Sequence, residues 1–403
     1  MRKAILISII GLFILSAHTS SDWGFYGHRK INRMAVFTLP PPLNFFFKKN
    51  IEYLTDHAVD PDKRRYATKH EAVRHYIDID IWEEFPFDTI PKNFVNALIK
   101  YGEIKMVSAD LDTTILSKEK LIKEGEKLIE HDQFLLNKMT SFYYKHVMPL
   151  YYEDNWEISC DTFAQYFGEI FPMKNCSKVI VTDTFSQHGI LPYHLLSMQK
   201  RLTNAFRSKN KKSILRVSAE MGHYIGDAHV PLHTTENYNG QLTDQIGIHG
   251  FWESRIPELL AEEEYDFFVG KAAYIENPQE YFWKIIEDSH VLVDSVLNIE
   301  KELSNTFPSD QQYCYEKRNG LTLRQPCRAY AIAYANRMKG MVEKRMSATI
   351  LALGSVWYTA WIDAGQPDLD TFLQASEISE EELEAQKQLE KAFKGDAIKG
   401  REH

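Results

Sequence analysis

Five residues between Met221 and Glu253 combine a metal-binding side chain with a spacing that could grip an ion. His223 and Asp227 stand four apart in a segment whose pattern predicts a helix, His233 follows just past Pro231, and His249 and Glu253 again stand four apart. On a helix, side chains four apart share a face, with Cβ atoms roughly 5–6 Å from each other. Both can therefore reach one ion without bending the backbone. Imidazole and carboxylate suit zinc among the common metals. A single His–Asp pair is as a rule a hydrogen-bonded core or surface pair. Two such pairs with a further His between them, within about thirty residues, instead predict more than one bound ion.

Zinc hydrolases draw ligands from several segments, so candidates are also needed upstream of Met221. His28 lies in WGFYGH, Asp60 and Asp62 lie in VDPDKRR, and His75 opens HYIDID. The set Trp-Gly-x-x-Gly-His, Pro-Asp-x-x-Arg, His-Tyr-Ile-Asp, His-x-x-x-Asp-x-x-x-Pro-Leu-His and His-x-x-x-Glu runs in that order from Trp23 to Glu253. It resembles the trinuclear zinc superfamily that contains zinc-dependent phospholipases C and the single-strand-specific zinc nucleases of moulds and plants. The resemblance explains little of the chain after Ile256.

The resemblance implies three zinc ions. Asp62, His75, His223 and Asp227 would hold the first, and His233, His249 and Glu253 the second. The third would take His28, the bridging carboxylate of Asp227, and the backbone amine and carbonyl of Trp23 as the mature N-terminal residue. Asp60 is a rival for Asp62, which is preferred because it follows Pro61 and precedes Arg65 at the family spacing. Asp62 and Asp227 are the expected catalytic residues. Zinc lowers the pKa of its bound water to about 7, so a hydroxide would be available to attack phosphorus while the remaining ion neutralises charge on the departing oxygen. The implied function is an exported phosphodiesterase. The short WGxxGH and the HYID lean it towards single-stranded nucleic acid. The alternative substrate is a phospholipid head-group ester, favoured by Glu253 in place of Asp and by the sixteen residues from His233 to His249. A protein whose zinc only staples the fold is a further reading, weakened because structural sites are usually closed cages rich in Cys. Asp22 before Trp23 departs from the small residues that signal peptidases prefer, which bears on whether the Trp23 amine is free.

Composition is compatible with this chemistry. The chain has 403 residues, 44% hydrophobic and 13% aromatic, with a formal net charge of −9. That charge disfavours broad electrostatic capture of nucleic acid or of an anionic membrane. A phosphate substrate would need a local cation, which bound metal supplies. Arg2 and Lys3, the apolar run Ala4 to Leu15 and the small residues Ser16 to Ser21 read as an export signal. The run is too short to span a bilayer, no other stretch suffices, and no Cys follows it for lipid anchoring. The expected location is secreted or periplasmic. Export permits disulfides, and spacing favours Cys160–Cys176 and Cys314–Cys327 among the three possible pairings.

The elements that must position these groups read as mostly α. Helices are expected over Lys30–Leu39, Asn44–Leu54, much of 90–150, Leu195–His229 with a turn at Arg207–Lys212, Pro257–Leu303, and Gln325–Leu353. The last of these has Ala329, Ile332, Ala333, Met338, Met341, Met346 and Ile350 on its apolar side. His57–Lys69 reads as a polar loop, Asn155–Ser186 as less regular, and no alternating β pattern stands out. His188 and His194 could orient ligands from behind but are more simply structural, His57 and His70 are expected to face solvent, and Tyr76 could stack on substrate or pack. The expected organisation is a signal over 1–22, one multi-helix domain with a trinuclear zinc cleft and large helical insertions over 23–375, and a charged tail over 376–403.

Overall fold

The computed structural model describes residues 24–369, apart from 66, 117–128, 154–155 and 319–320. The expected signal, Trp23 and the charged tail lie outside the described residues. The architecture is mostly helical, as expected.

The organising element is the helix Lys211–His229, buried at nearly every position from Ile214 onward. A helix buried almost all round lies inside a helical assembly, and the polar side chains this one buries, Glu220, His223, Asp227 and His229 among them, must find partners there. This one packs against Gly24–Ala35, Leu191–Arg207, Pro278–His290 and Met341–Asp363. Its start is capped by Asn210, whose Oδ1 accepts from the Ser213 amide at 3.0 Å. Two glycines let the helix Gly24–Ala35 cross it closely. A Cβ on Gly222 would lie 1.7 Å from Asn32 Oδ1, and one on Gly226 would lie 2.8 Å from His28 Nδ1. Asn32, fully buried, ties the crossing by donating to the Leu54 and Ala219 carbonyls at 2.8 and 2.9 Å. A second apolar cluster gathers Val230, Leu232, Ile248, Phe251, Trp252 and Ile256 with the helices Val293–Thr306, Arg328–Arg337 and the start of Met341–Asp363. The candidate ligands sit where the central helix meets this cluster.

Several expected elements are corrected. The first helix begins at Gly24, so Gly24 to His28 lie within it. The helix expected over Asn44–Leu54 is two, Pro41–Lys49 and Ile51–Asp56, broken at Asn50, whose side chain donates back to the Phe46 carbonyl. The polar segment expected as a loop holds the short helix Asp60–Arg64, started by Pro61 in its first turn. The helix expected over Gln325–Leu353 is also two, Arg328–Arg337 and Met341–Asp363, separated by a turn in which Lys339 and Gly340 have φ of 52° and 74°. Its buried face carries Tyr330, Ala331 and Tyr334 rather than Ala329, Ile332 and Ala333.

Strands were not expected at all. β1 (Glu103–Ser108), β2 (Thr113–Ile115), β3 (Trp156–Ile158) and β4 (Cys176–Thr182) form an antiparallel sheet in the order β2-β1-β4-β3. β4 buries Val179 and Val181 and leaves its intervening residues partly open, the period-2 pattern of a half-buried strand. A hairpin of β5 (Tyr313–Arg318) and β6 (Leu321–Pro326) pairs Glu316 with Leu323. Both favoured disulfides are present, Cys160–Cys176 joining the helix Cys160–Phe167 to β4 and Cys314–Cys327 closing the hairpin. Among the described residues no helix is long and apolar enough to cross a membrane.

Candidate metal centre

Three elements carry four of the candidate residues, and Asp62, His75, His233 and His249 come from the short helix Asp60–Arg64, the segment after it, and the turns Pro231–Thr234 and Ile248–Gly250. The central helix presents His223 and Asp227 on one face, the spacing of one helical turn. The helix Gly24–Ala35 lays His28 across them, its ring stacked on His223 with centroids 3.9 Å apart. The segment Phe251–Arg255 is a π-helical turn that carries Glu253 back towards His249. Such bulges concentrate at functional positions because they re-aim one side chain without ending the helix.

The eight described candidates converge. Three groups place their nitrogen and oxygen atoms within 4.8 Å of one another: His28, His223 and Asp227; Asp62, His75 and His223; and His233, His249 and Glu253. Asp227 stands between them. Its Oδ2 faces His75 Nδ1 at 3.0 Å and His223 Nε2 at 3.5 Å. Its Oδ1 faces His28 Nε2 at 3.5 Å and His233 Nε2 at 4.0 Å. Glu253 reaches His249 Nε2 at 2.8 Å and His233 and His28 at 3.5 Å each. Asp62 lies 3.5 Å from His223 and 3.9 Å from His75. Its rival Asp60 is turned away to His57 and Lys63.

Hydrogen bonds behind the rings fix what the pocket presents. Nδ1 of His223, His233 and His249 lies 3.1, 2.6 and 3.2 Å from the carbonyls of Ala58, His75 and Tyr238. A carbonyl only accepts, so each Nδ1 carries the proton and each Nε2 points a lone pair inward. The Nε2 atoms of His233 and His249 are 3.2 Å apart. Two lone pairs cannot bond to each other. Asp227 Oδ1 is buried with no hydrogen bond. This is a donor set turned inward on itself, and a divalent cation satisfies it. These residues fit metal ions, as each of the three groups could hold one.

Ionisation follows the same logic. Burial, then the Glu253 and Asp62 charges, push the Asp227 carboxyl well above its usual range. Burial also opposes ionisation of Asp62, but His223, Arg65 and His28 outweigh it and hold that carboxyl below its usual range. Glu253 is held well down by His233, His249 and His28 against its own burial. Among the imidazoles, burial lowers His223 and, further, His75. It lowers His233 to about 4. These rings are therefore neutral at neutral pH, the form that binds metal.

His229, two residues after Asp227, points away as expected. Its Nδ1 meets the Ile225 carbonyl at 2.8 Å, and burial lowers its pKa to about 3. His229 and His233 both titrate near 6.5 once unfolded. Unfolding below that value takes up protons that the fold refuses, so their contribution is complete above about pH 6.5 and is lost as pH falls towards their folded values. Each costs up to about 1.4 kcal/mol per pH unit in that window. We expect the midpoint of thermal unfolding of the metal-free protein to fall steadily from pH 7 to pH 5. A flat profile would show that these rings are not held neutral.

The remaining candidates are structural or lie elsewhere. His194 packs on Tyr224, which packs in turn against His75 at 5.2 Å. His188 stands 3.8 Å from Asp78. His57 and His70 are half-buried rather than solvent-facing, on Asp60 and on Tyr151 and Tyr152. Tyr76 is buried, its hydroxyl donating to the Gln187 carbonyl at 3.0 Å. Trp23, expected for the third ion, lies outside the described residues. The carbonyls of Ala58, His75 and Tyr238 had no sequence signal, because any residue supplies a carbonyl. Arg65, buried 3.5 Å from Asp62, was visible only as the end of Pro-Asp-x-x-Arg. No protein-family model and no curated protein matches this chain.

Proposed function

We propose that this protein is an exported zinc-dependent hydrolase of phosphodiesters that acts by preference on single-stranded nucleic acid. The observation that carries the reading is Asp227, whose two carboxylate oxygens face different groups of imidazoles. A carboxylate so placed would serve two ions, and clustered ions suit in-line displacement at phosphorus. Zinc is the ion favoured by a donor set of imidazoles and carboxylates without thiolates. When bound, zinc supplies activated water at neutral pH and offsets phosphoryl charge.

The chain's own residues do the rest. Asp62, His75, His223 and Asp227 would hold one ion, His233, His249 and Glu253 the second, and His28 with Asp227 would contribute to the third. Asp62 and Glu253 have the most open side chains of the set, 19% and 15% exposed, while the imidazoles are almost fully enclosed. A diester would therefore enter where these carboxylates are open, since the imidazoles are enclosed. Arg65 steadies the Asp62 carboxylate from behind. The two disulfides suit an oxidising compartment, in keeping with export.

The preference for nucleic acid rests on WGFYGH and HYID. One observation favours a phospholipid instead. Leu242 and Ile246, each 66% exposed, sit on the loop between His233 and His249, where apolar side chains could meet a lipid surface. Offering single-stranded DNA and phosphatidylcholine to the zinc-loaded protein separates the two. We expect cleavage of the DNA; cleavage of the lipid alone would transfer the protein to the phospholipase reading. Bound zinc with neither activity would leave a metal-stapled, non-catalytic protein.

A further inference from the structure

The hairpin of β5 and β6 lies beyond the stretch that carries the ligands, yet it grips the turn that holds one of them. Two residues after Glu253, Arg255 is 4% exposed. Its Nε donates to the Pro326 carbonyl at 3.0 Å. Its Nη1 donates to Glu316 Oε2 at 3.1 Å, and its Nη2 donates to Glu316 Oε1. The pair is a two-pronged fork, the geometry that fixes orientation as well as supplying attraction. Glu316 belongs to β5 and Pro326 ends β6, so one guanidinium spans both strands. Cys314 and Cys327 lock the same two strands where they meet the rest of the protein.

Glu253 needs such a hold. It sits in a π-helical turn, whose backbone hydrogen bonds are less regular than those of an α-helix, and its oxygens must meet His249, His233 and His28 together. Phe251 packs the start of the same turn on Tyr330 and Tyr334, and Arg255 ties its end to the hairpin by hydrogen bonds. Groups that orient metal ligands in this way commonly change metal affinity by about 10–100-fold when removed.

We propose that Arg255 and Glu316 are positioning residues for Glu253, and that the disulfide-closed hairpin is the strut that holds the ion of His233, His249 and Glu253 at full affinity. The inference rests on the reading of that group as a metal site. It gives the Cys314–Cys327 bridge a task that the other bridge lacks, since Cys160–Cys176 fastens a helix to the sheet.

The test is zinc stoichiometry and affinity, measured by competition with a chromophoric chelator on the full chain, with circular dichroism to verify folding. The variants are Glu316→Gln, Glu316→Asp, Arg255→Lys, and the double substitution Cys314→Ser with Cys327→Ser. Cys160→Ser with Cys176→Ser is the control for losing a bridge. Glu316 is partly exposed, so Glu316→Gln keeps the test decisive if a buried substitution fails to fold. The strut predicts that one ion is weakened by about 10–100-fold in Glu316→Gln and in the hairpin double variant, with the other ions unchanged. It predicts that the control keeps every ion at wild-type affinity, and that Glu316→Asp recovers part of the loss. Folded variants with wild-type affinity for all ions would overturn the strut alone, as would an equal weakening of all ions shared with the control. A wild-type protein that binds no zinc would overturn the metal reading and the strut with it.

Discussion

Replacing Asp227 by Asn is expected to remove hydrolysis and more than one zinc ion together. The carboxylate is fully buried, and its two oxygens face separate groups of imidazoles. Asn keeps the shape of the side chain but carries no charge, and one of its two arms becomes a donor. That arm would point at ring nitrogens or at a cation, and it serves neither as a ligand nor as a counter-charge. We expect turnover to fall by about three orders of magnitude or more, equivalent to roughly 4 kcal/mol of transition-state stabilisation. Elemental analysis of the same preparation should show a loss of more than one ion per chain. Loss of activity with full metal content would instead make Asp227 a residue of the reaction and not a bridge. Wild-type turnover would remove it from both roles.

The second large effect concerns stability. Without cations the pocket encloses imidazole lone pairs 3.2 Å apart and a carboxylate oxygen with no hydrogen bond. Such groups are costly to bury unless satisfied. Each ion held a thousandfold below the free metal concentration adds about 4 kcal/mol to the folded state. Unfolding entropy is about 2.1 cal/mol/K per residue, roughly 0.7 kcal/mol/K for a domain of about 350 residues, so removal of even one ion should lower the midpoint by roughly 5 °C. Calorimetry before and after chelation, with zinc added back, measures this. A midpoint that ignores chelator would mean that the cluster is stable as a set of ordinary buried side chains.

Much of the site was legible because its chemistry is local. His223 with Asp227, and His249 with Glu253, announce themselves by a spacing of four, and the helical and π-helical turns deliver them as that spacing requires. Convergence of His28, Asp62 and His75 came from the order of short motifs, and the structure gathers them around His223 and Asp227. Of the two aspartates, Asp62 stands beside His223 and His75, and Asp60 is turned to His57 and Lys63. The two disulfides followed from close spacing, for short loops bring cysteines together readily.

What escaped was non-local. β1 finds its partner β4 about seventy residues away, at Lys105 opposite Ile180, and strands this short leave few repeats for a period to declare itself. The break at Lys339–Gly340 depends on two consecutive positive φ values, of which only the glycine is signalled by residue type. The tyrosines of Arg328–Arg337 are buried through their hydroxyls as well as their rings. Tyr330 donates to Glu300 at 2.6 Å and Tyr334 to the Val296 carbonyl at 2.6 Å, so a face read for aliphatic residues was misplaced. The grip of Glu316 on Arg255 spans sixty-one positions and leaves no pattern in either segment.

The most direct measurement is an anomalous difference map at the zinc edge from crystals of the purified protein. The account predicts more than one peak inside the pocket, two of them sharing Asp227, one beside His75 and His223 and one towards the side of His28. It further predicts a peak among His233, His249 and Glu253. An empty pocket in protein supplied with zinc, or a single peak that leaves Asp227 unligated, would contradict it.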